Sequence, residues 1–266
     1  MNRMDGKICV IAGATQGLGA AIARRLAAAG AAGIVVTGRN EARGKGVADG
    51  ITARYGTPAL FLRADLGSVA ETDKRFGHAH VLVNAGALTE RGTILSTTPE
   101  LFDRMFATNV RGPFFLMQEA IKLMIRDGIE GAICNIGSFS ALSGQPFINP
   151  YCASKGALTT LTANTAFSVM GNRIRVNQLN VGWMASDNEL ELQAAEKGDP
   201  NWMEKAVESL PFGRLVDPEE AARAVNFLVS DDAGLMTGSI VNFDQSVWGA
   251  VAGGMPVPDG PMKLPA

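Results

Sequence analysis

Short apolar runs alternate with amphipathic stretches along this chain. Ile8–Ala12 is five apolar residues long, enough for a buried strand, and it enters Gly13-Ala-Thr-Gln-Gly17-Leu-Gly19. Residues 20–29 read as an alanine-rich amphipathic helix, with Gly30 placed to end it. Residues 33–37 are strand-like, and Glu41–Tyr55 is a helix with a polar face. Residues 59–64 and 81–83 predict a third and a fourth strand. Residues 99–127 repeat at helical spacing, which predicts a common face for Leu101, Met105, Phe106, Val110, Phe114, Met117, Ile121 and Met124. A fifth strand over 132–136 precedes a helix over 150–170. Asn149-Pro150 marks its start, as a capping residue and a first-turn proline. Residues 174–179, Pro218–Val229 and Ile240–Phe243 predict a sixth strand, a helix and a seventh strand. The alternation predicts an α/β fold, a doubly wound parallel sheet of about seven strands with helices on both faces. No linker or repeat divides the chain, so residues 1–266 read as one domain, with 249–266 a Gly- and Pro-rich tail.

Bulk properties narrow the function. A chain of 266 residues with 47% hydrophobic and 19% charged side chains buries a full globular core. A net charge of −2 offers no bulk attraction to nucleic acid or to an anionic membrane. Cys9, Cys134 and Cys152 lack metal-ligand spacing and read as buried thiols of a reducing compartment. His78 and His80 share one short segment, which leaves no His-based metal site or Ser-His-Asp triad. With no secretory h-region and no apolar run of transmembrane length, the cytoplasm is the expected location.

The chemistry concentrates between Ser138 and Lys155. Tyr151 and Lys155 are four apart, so they share a helix face. A positive charge about 5 Å from a phenol, at an effective dielectric of about 20, favours phenolate by roughly 3 kcal/mol. That is about 2.4 pKa units below the ordinary value of about 10, toward what a general acid/base needs. Ser138 follows the fifth strand, placed to hydrogen-bond the same substrate oxygen. A Tyr-x-x-x-Lys pair also arises by chance, so the surrounding pattern matters.

Gly13, Gly17 and Gly19, with Thr15, Gln16 and Leu18 between them, lie between a strand and a helix. Such a turn lets a pyrophosphate approach the backbone at a helix N-terminus, or is simply a tight turn; the strand–helix context favours dinucleotide binding. Arg39 ends the second strand, with no acid before Glu41. An acid there accepts ribose hydroxyls, whereas an arginine suits a 2′-phosphate, so NADP(H) is favoured and NAD(H) is the alternative.

In these residues, together with Asp65, Asn84-Ala85-Gly86, Asn109 and Val181-Gly182, the chain resembles the short-chain dehydrogenase/reductase family over nearly all of residues 6–248. The resemblance implies a Rossmann-like fold, a nicotinamide cofactor and alcohol–carbonyl interconversion. It implies that Tyr151 moves the proton, that Lys155 lowers its pKa and holds the nicotinamide ribose, and that Ser138 fixes the substrate oxygen. Asn109 is implied to hold a water through its main chain at a bend in the long helix. Asp65 and Leu66 are implied near the adenine, Asn84 to Gly86 beneath it, and Gly182 and Ser186 along the nicotinamide. It also implies a homotetramer. Three departures from the family pattern stand out: Ala12 for the usual Thr, Val181 for the usual Pro, and a short crossover over residues 66–80.

Residues 183–212 mix aromatic and acidic side chains after the sixth strand, as a substrate lid or an interface helix would. Ser140, Gln145 and Trp183 are candidate substrate contacts with Ser138 and Tyr151. Polar groups around the pocket point to a polyol or sugar; a 3-ketoacyl thioester is the alternative. A reading of another class is a non-catalytic, NADP-sensing protein on the same fold.

Overall fold

The computed structural model describes residues 3–63, 77–142, 144–198 and 201–247, with Gly260 and Met262. Its strands are β1 (Ile8–Ala12), β2 (Gly33–Gly38), β3 (Ala59–Arg63), β4 (Val81–Asn84), β5 (Ala132–Ser138), β6 (Arg175–Val181) and β7 (Ile240–Phe243). All pair in parallel, in the order β3-β2-β1-β4-β5-β6-β7. Every residue of β1, β2, β4 and β5 is buried, as the unbroken apolar runs require of a parallel sheet covered on both faces.

The helices are α1 (Gly17–Ala28), α2 (Glu41–Tyr55), α3 (Pro99–Phe106), α4 (Gly112–Arg126), α5 (Asn149–Val169), α6 (Asp187–Lys197), α7 (Trp202–Glu208) and α8 (Pro218–Val229). Successive strand residues serve opposite cores. Cys9 and Ile11 pack with Ile22 and Leu26 of α1, Ile51 of α2 and Val225 of α8. Val10 packs on the other side with Met117 and Met124 of α4 and Ala166 and Val169 of α5. The pairing Thr37↔Ala12↔Asn84 aligns the C-terminal ends of β2, β1 and β4, where the strand order reverses. Open α/β sheets bind ligands at that edge.

The structure corrects several expectations. The helix over 99–127 is interrupted by a π turn, Ala107–Arg111. A π turn takes up an extra residue and re-phases the helix beyond it. Met105, Asn109, Pro113, Met117, Ala120 and Met124 therefore face inward, while Phe114 is 43% exposed. Asn149 lies inside α5 and does not cap it. Ile148 precedes the helix without a side-chain cap, and the loop is pinned by Asn149 N–H to the Gly92 carbonyl (2.9 Å) and Gly92 N–H to the Phe147 carbonyl (2.8 Å). Cys9 and Cys134 are buried thiols as expected, but Cys152 is only half-buried. Asp65, Leu66 and most of the short crossover lie outside the described residues, as does nearly all of the 249–266 tail. No helix among the described residues is long and apolar enough to cross a membrane.

Candidate active site

A cavity of about 590 Å³ opens at the C-terminal edge of β1, β2 and β4. Gly13, Thr15, Gln16, Gly17, Leu18 and Gly19 line it from the turn, Arg39 from the end of β2, Asn84, Ala85 and Gly86 from the end of β4, and Ser186 from the start of α6. The glycines at 13 and 19 answer to packing. A Cβ on Gly13 would lie 2.3 Å from Gly86 Cα, and one on Gly19 2.3 Å from the Gly13 carbonyl oxygen. The turn is thus folded tightly onto β4 and onto itself, which brings α1's N-terminus to the cavity. Ser138, Tyr151, Lys155 and Gly182 do not line this cavity. The missing Cβ of Gly182 leaves room for Asp244, whose Oδ1 would be 1.9 Å away.

Three features fit an elongated, anionic, hydrogen-bonding ligand such as a nicotinamide dinucleotide. Gln16 precedes α1 without a side-chain cap, so the first N–H groups of that helix have no side-chain acceptor there. Asn84 donates from Nδ2 to Asn135 Oδ1 (2.8 Å), while its buried Oδ1 has no partner among the described residues. Arg39 is exposed at the end of β2, and Arg43 beside it donates to Gln16 Oε1.

Ser138, Tyr151 and Lys155 meet where β5 runs into α5. Ser138 ends the strand, and its Oγ accepts from Ser140 N–H (3.1 Å) and bonds the Tyr151 side chain. Lys155 is buried; its Nζ donates to the Ile136 carbonyl (2.8 Å) and sits 5.7 Å from the centre of the Tyr151 ring. The expected acidic phenol is not what this arrangement produces. Burial pushes Tyr151 up to about 12; the Ser138 hydrogen bond opposes this, and the charges of Cys152 and Glu189 add to it. Burial also brings Lys155 down to about 8. Dehydration is the leading cause for both groups, and the Lys155 ammonium is satisfied by the Ile136 carbonyl.

Asn109 sits in the π turn and is fully buried. Its Oδ1 accepts from Leu88 N–H (2.8 Å), and its Nδ2 donates to the Leu88 carbonyl (3.0 Å) and to Ser154 Oγ (2.9 Å). Ser154 in turn donates to the Tyr151 carbonyl (2.7 Å). The side chain of Asn109 therefore ties the π turn to the first turns of α5. Gln145 is exposed in the loop before α5, and Ser140 is half-buried one turn from Ser138. Trp183 donates from its indole to Glu189 Oε1 (2.9 Å) and packs against Trp202, ring centres 6.2 Å apart. Arg43 and Ser154 escape a motif-based reading because each acts through a partner distant in sequence, Gln16 and Asn109. Glu189 escapes it although its partners Trp183 and Gln193 are near in sequence, because their pairing follows no fixed pattern.

A family model described as enoyl-(acyl carrier protein) reductase matches residues 13–246. A protein of Thermotoga maritima described as an uncharacterized oxidoreductase is 36% identical over 248 residues, 90% of this chain and 96% of that protein. Sorbitol dehydrogenase of Cereibacter sphaeroides is 29% identical, covering 92% and 99%. A 3-oxoacyl-[acyl-carrier-protein] reductase of Rickettsia conorii is 31% identical, covering 90% and 95%. Among solved structures, a short chain dehydrogenase/reductase family protein is 35% identical, with a TM-score of 0.79, over 91% of this chain and 97% of that one. L-sorbose reductase of Gluconobacter frateurii, complexed with NADPH and L-sorbose, is 26% identical with a TM-score of 0.88, over 94% and 99%. Matched in sequence and in sheet over about nine-tenths of its length, this chain belongs to the short-chain dehydrogenase/reductase family of oxidoreductases.

Proposed function

We propose that this protein interconverts a secondary alcohol and a ketone with NADP(H), on a polyol or sugar. The observation that carries this reading is the Ser138–Tyr151–Lys155 group at the edge of a sheet whose adjoining cavity combines a glycine turn with Arg39. Three solved relatives, each 26–29% identical, carry NADP or NADPH, which supports the reading of Arg39 as a 2′-phosphate contact.

The turn from Gly13 to Gly19 would hold the pyrophosphate, with Ser186 opposite it. Arg39 would hold the 2′-phosphate, and Asn84 Oδ1 would receive a donor from the ligand. When bound, the nicotinamide supplies or accepts the hydride. The protein's part is the proton. In reduction, the Tyr151 hydroxyl donates to the ketone oxygen while Ser138 fixes that oxygen and stabilises its developing charge. In oxidation, the phenolate takes the alcohol proton. Burial keeps the Tyr151 phenol neutral in the ligand-free chain, the form that donates in reduction. Lys155, with its Nζ 5.7 Å from the centre of the Tyr151 ring, would hold the ribose and would favour ionisation of the phenol. With its side chain bound to Leu88 and Ser154, Asn109 would serve a water only through its main chain.

The sorbitol and L-sorbose relatives support a polyhydroxylated substrate. The Rickettsia relative supports the second reading, reduction of a 3-ketoacyl thioester. The test is a panel of polyols, ketoses and ketoacyl thioesters with NADP(H) and NAD(H), read by reduced-nicotinamide absorbance. Turnover of thioesters alone would replace the polyol reading with the second one. A homotetramer in the cytoplasm completes the proposal. Phe102 and Phe114 on α3 and α4, and Phe167 on α5, are 43%, 43% and 78% exposed, and burial between subunits would account for them. Sedimentation as a monomer at micromolar concentration would remove that part.

A further inference from the structure

Among the described residues, Glu189 is the one acidic side chain that lines the cavity, and its charge also reaches Tyr151. Its position is built from both ends. Ser186 Oγ accepts from Glu189 N–H (3.4 Å) and caps α6, while Glu189 Oε1 receives the Trp183 indole N–H (2.9 Å) and the Gln193 amide (2.8 Å). Trp183 is itself stacked at a tilt on Trp202, which is 7% exposed. A surface glutamate is usually a swinging, solvated group; this one is half-buried and held by two donors on one oxygen. A carboxylate has about four acceptor positions, and the two donors among the described residues take about half of them. The remainder is left for a donor in the cavity that Glu189 lines.

We propose that Glu189 is a specificity residue that accepts a hydrogen bond from a substrate hydroxyl near the reacting carbon, and so selects neutral polyhydroxylated substrates against those bearing a carboxylate. The inference rests on the dehydrogenase reading above and narrows it. A fixed acceptor rewards a hydroxyl donor, because a charge-assisted bond in a water-poor site is among the stronger ones. The same charge repels a second anion brought beside it. A site whose polar group is built to pair with a hydroxyl also discriminates against an analogue lacking one, since the group is then left dry and unpaired.

The test compares the wild-type holoenzyme with Glu189→Ala and Glu189→Gln on three neutral polyols (sorbitol, galactitol and xylitol), on cyclohexanol and on gluconate, each with NADP⁺. Glu189→Ala should lower kcat/KM for the best polyol about tenfold or more relative to cyclohexanol, both read at the pH optimum of each protein. Glu189→Gln keeps an acceptor for the indole and removes the charge, so it should raise kcat/KM for gluconate about fivefold or more relative to the polyol. It should also lower the apparent pKa of the acid seen in the pH–rate profile, since Tyr151 is faced there by Ser138 from β5, by Cys152 and Lys155 on its own helix and by Glu189 from α6. A uniform loss on all substrates in both variants, or no change on any, would overturn the assignment. So would wild-type turnover of cyclohexanol or gluconate without any polyol, which leaves the dehydrogenase reading standing. Absence of wild-type turnover on every alcohol would remove the assignment together with the polyol reading.

Discussion

The two halves of the candidate site are held in different ways. On the cofactor side, the backbone itself makes the shape: the glycine turn touches β4 and folds on itself at distances that no side chain permits, and β1, β2 and β4 end in register beneath it. On the substrate side, after β6, the shape is made by side chains. An indole, an amide and a capping hydroxyl hold α6, and a second indole backs them. The first half admits little variation without loss of the fold. The second can be rebuilt residue by residue, which is how one family serves many substrates on one scaffold.

The comparison can be broken at Lys155, which belongs to both halves. Lys155→Met should cost about 10² or more in kcat/KM and weaken NADPH binding if, as proposed, the ammonium holds the ribose and tunes the phenol. It should also raise stability at neutral pH. The Lys155 ammonium is pushed from 10.5 to about 8 by burial, so between those values the unfolded chain binds more protons and the Lys155 contribution to stability rises with pH, by about 3 kcal/mol in all. Cys9 and Cys134, pushed up from 9.0 to about 12 by burial, act in the opposite sense above pH 9 in both proteins, so the difference between wild-type and variant denaturant melts from pH 7.5 to 10.5 should show the rise. A flat difference would mean that the amine is better hydrated than the packing shows.

Gly13→Ala sharpens the cofactor side. The new Cβ meets backbone that cannot rotate away, at 2.3 Å from Gly86 Cα, so a loss of about 2–3 kcal/mol and of NADPH binding is expected in thermal melts and titration. A smaller effect is expected from Arg39→Ala, since Arg39 is exposed: about a tenfold weakening of NADP⁺ with NAD⁺ nearly unchanged, measured by calorimetry. Equal weakening of both cofactors would place the arginine on the adenine and not on the 2′-phosphate.

The same contrast governs what can be read from the sequence. The strand–turn–helix around Gly13, the pair Tyr151 and Lys155, and Ser138 at a strand end are local patterns, and local geometry keeps them. Hydrophobic spacing puts Phe114 on the inward face of the long helix, and it fails there because a π turn leaves no mark in that spacing. Asn149 reads as a cap only until the Gly92 pairing draws it into the helix. Judged by its neighbouring ammonium alone, the phenol is acidic; how much water it loses depends on the tertiary packing, and that loss reverses the sign. Gly182 answers to Asp244, sixty-two positions away, and Glu189 to an indole and an amide whose approach no motif encodes.

The central claim is that the Tyr151 hydroxyl carries the proton beside a bound nicotinamide. Tyr151→Phe removes that one oxygen and leaves the ring packed, so NADPH should bind within about twofold of wild type while kcat for the best substrate of the panel falls about 10³-fold. Turnover within twofold of wild type, with binding intact, would contradict it.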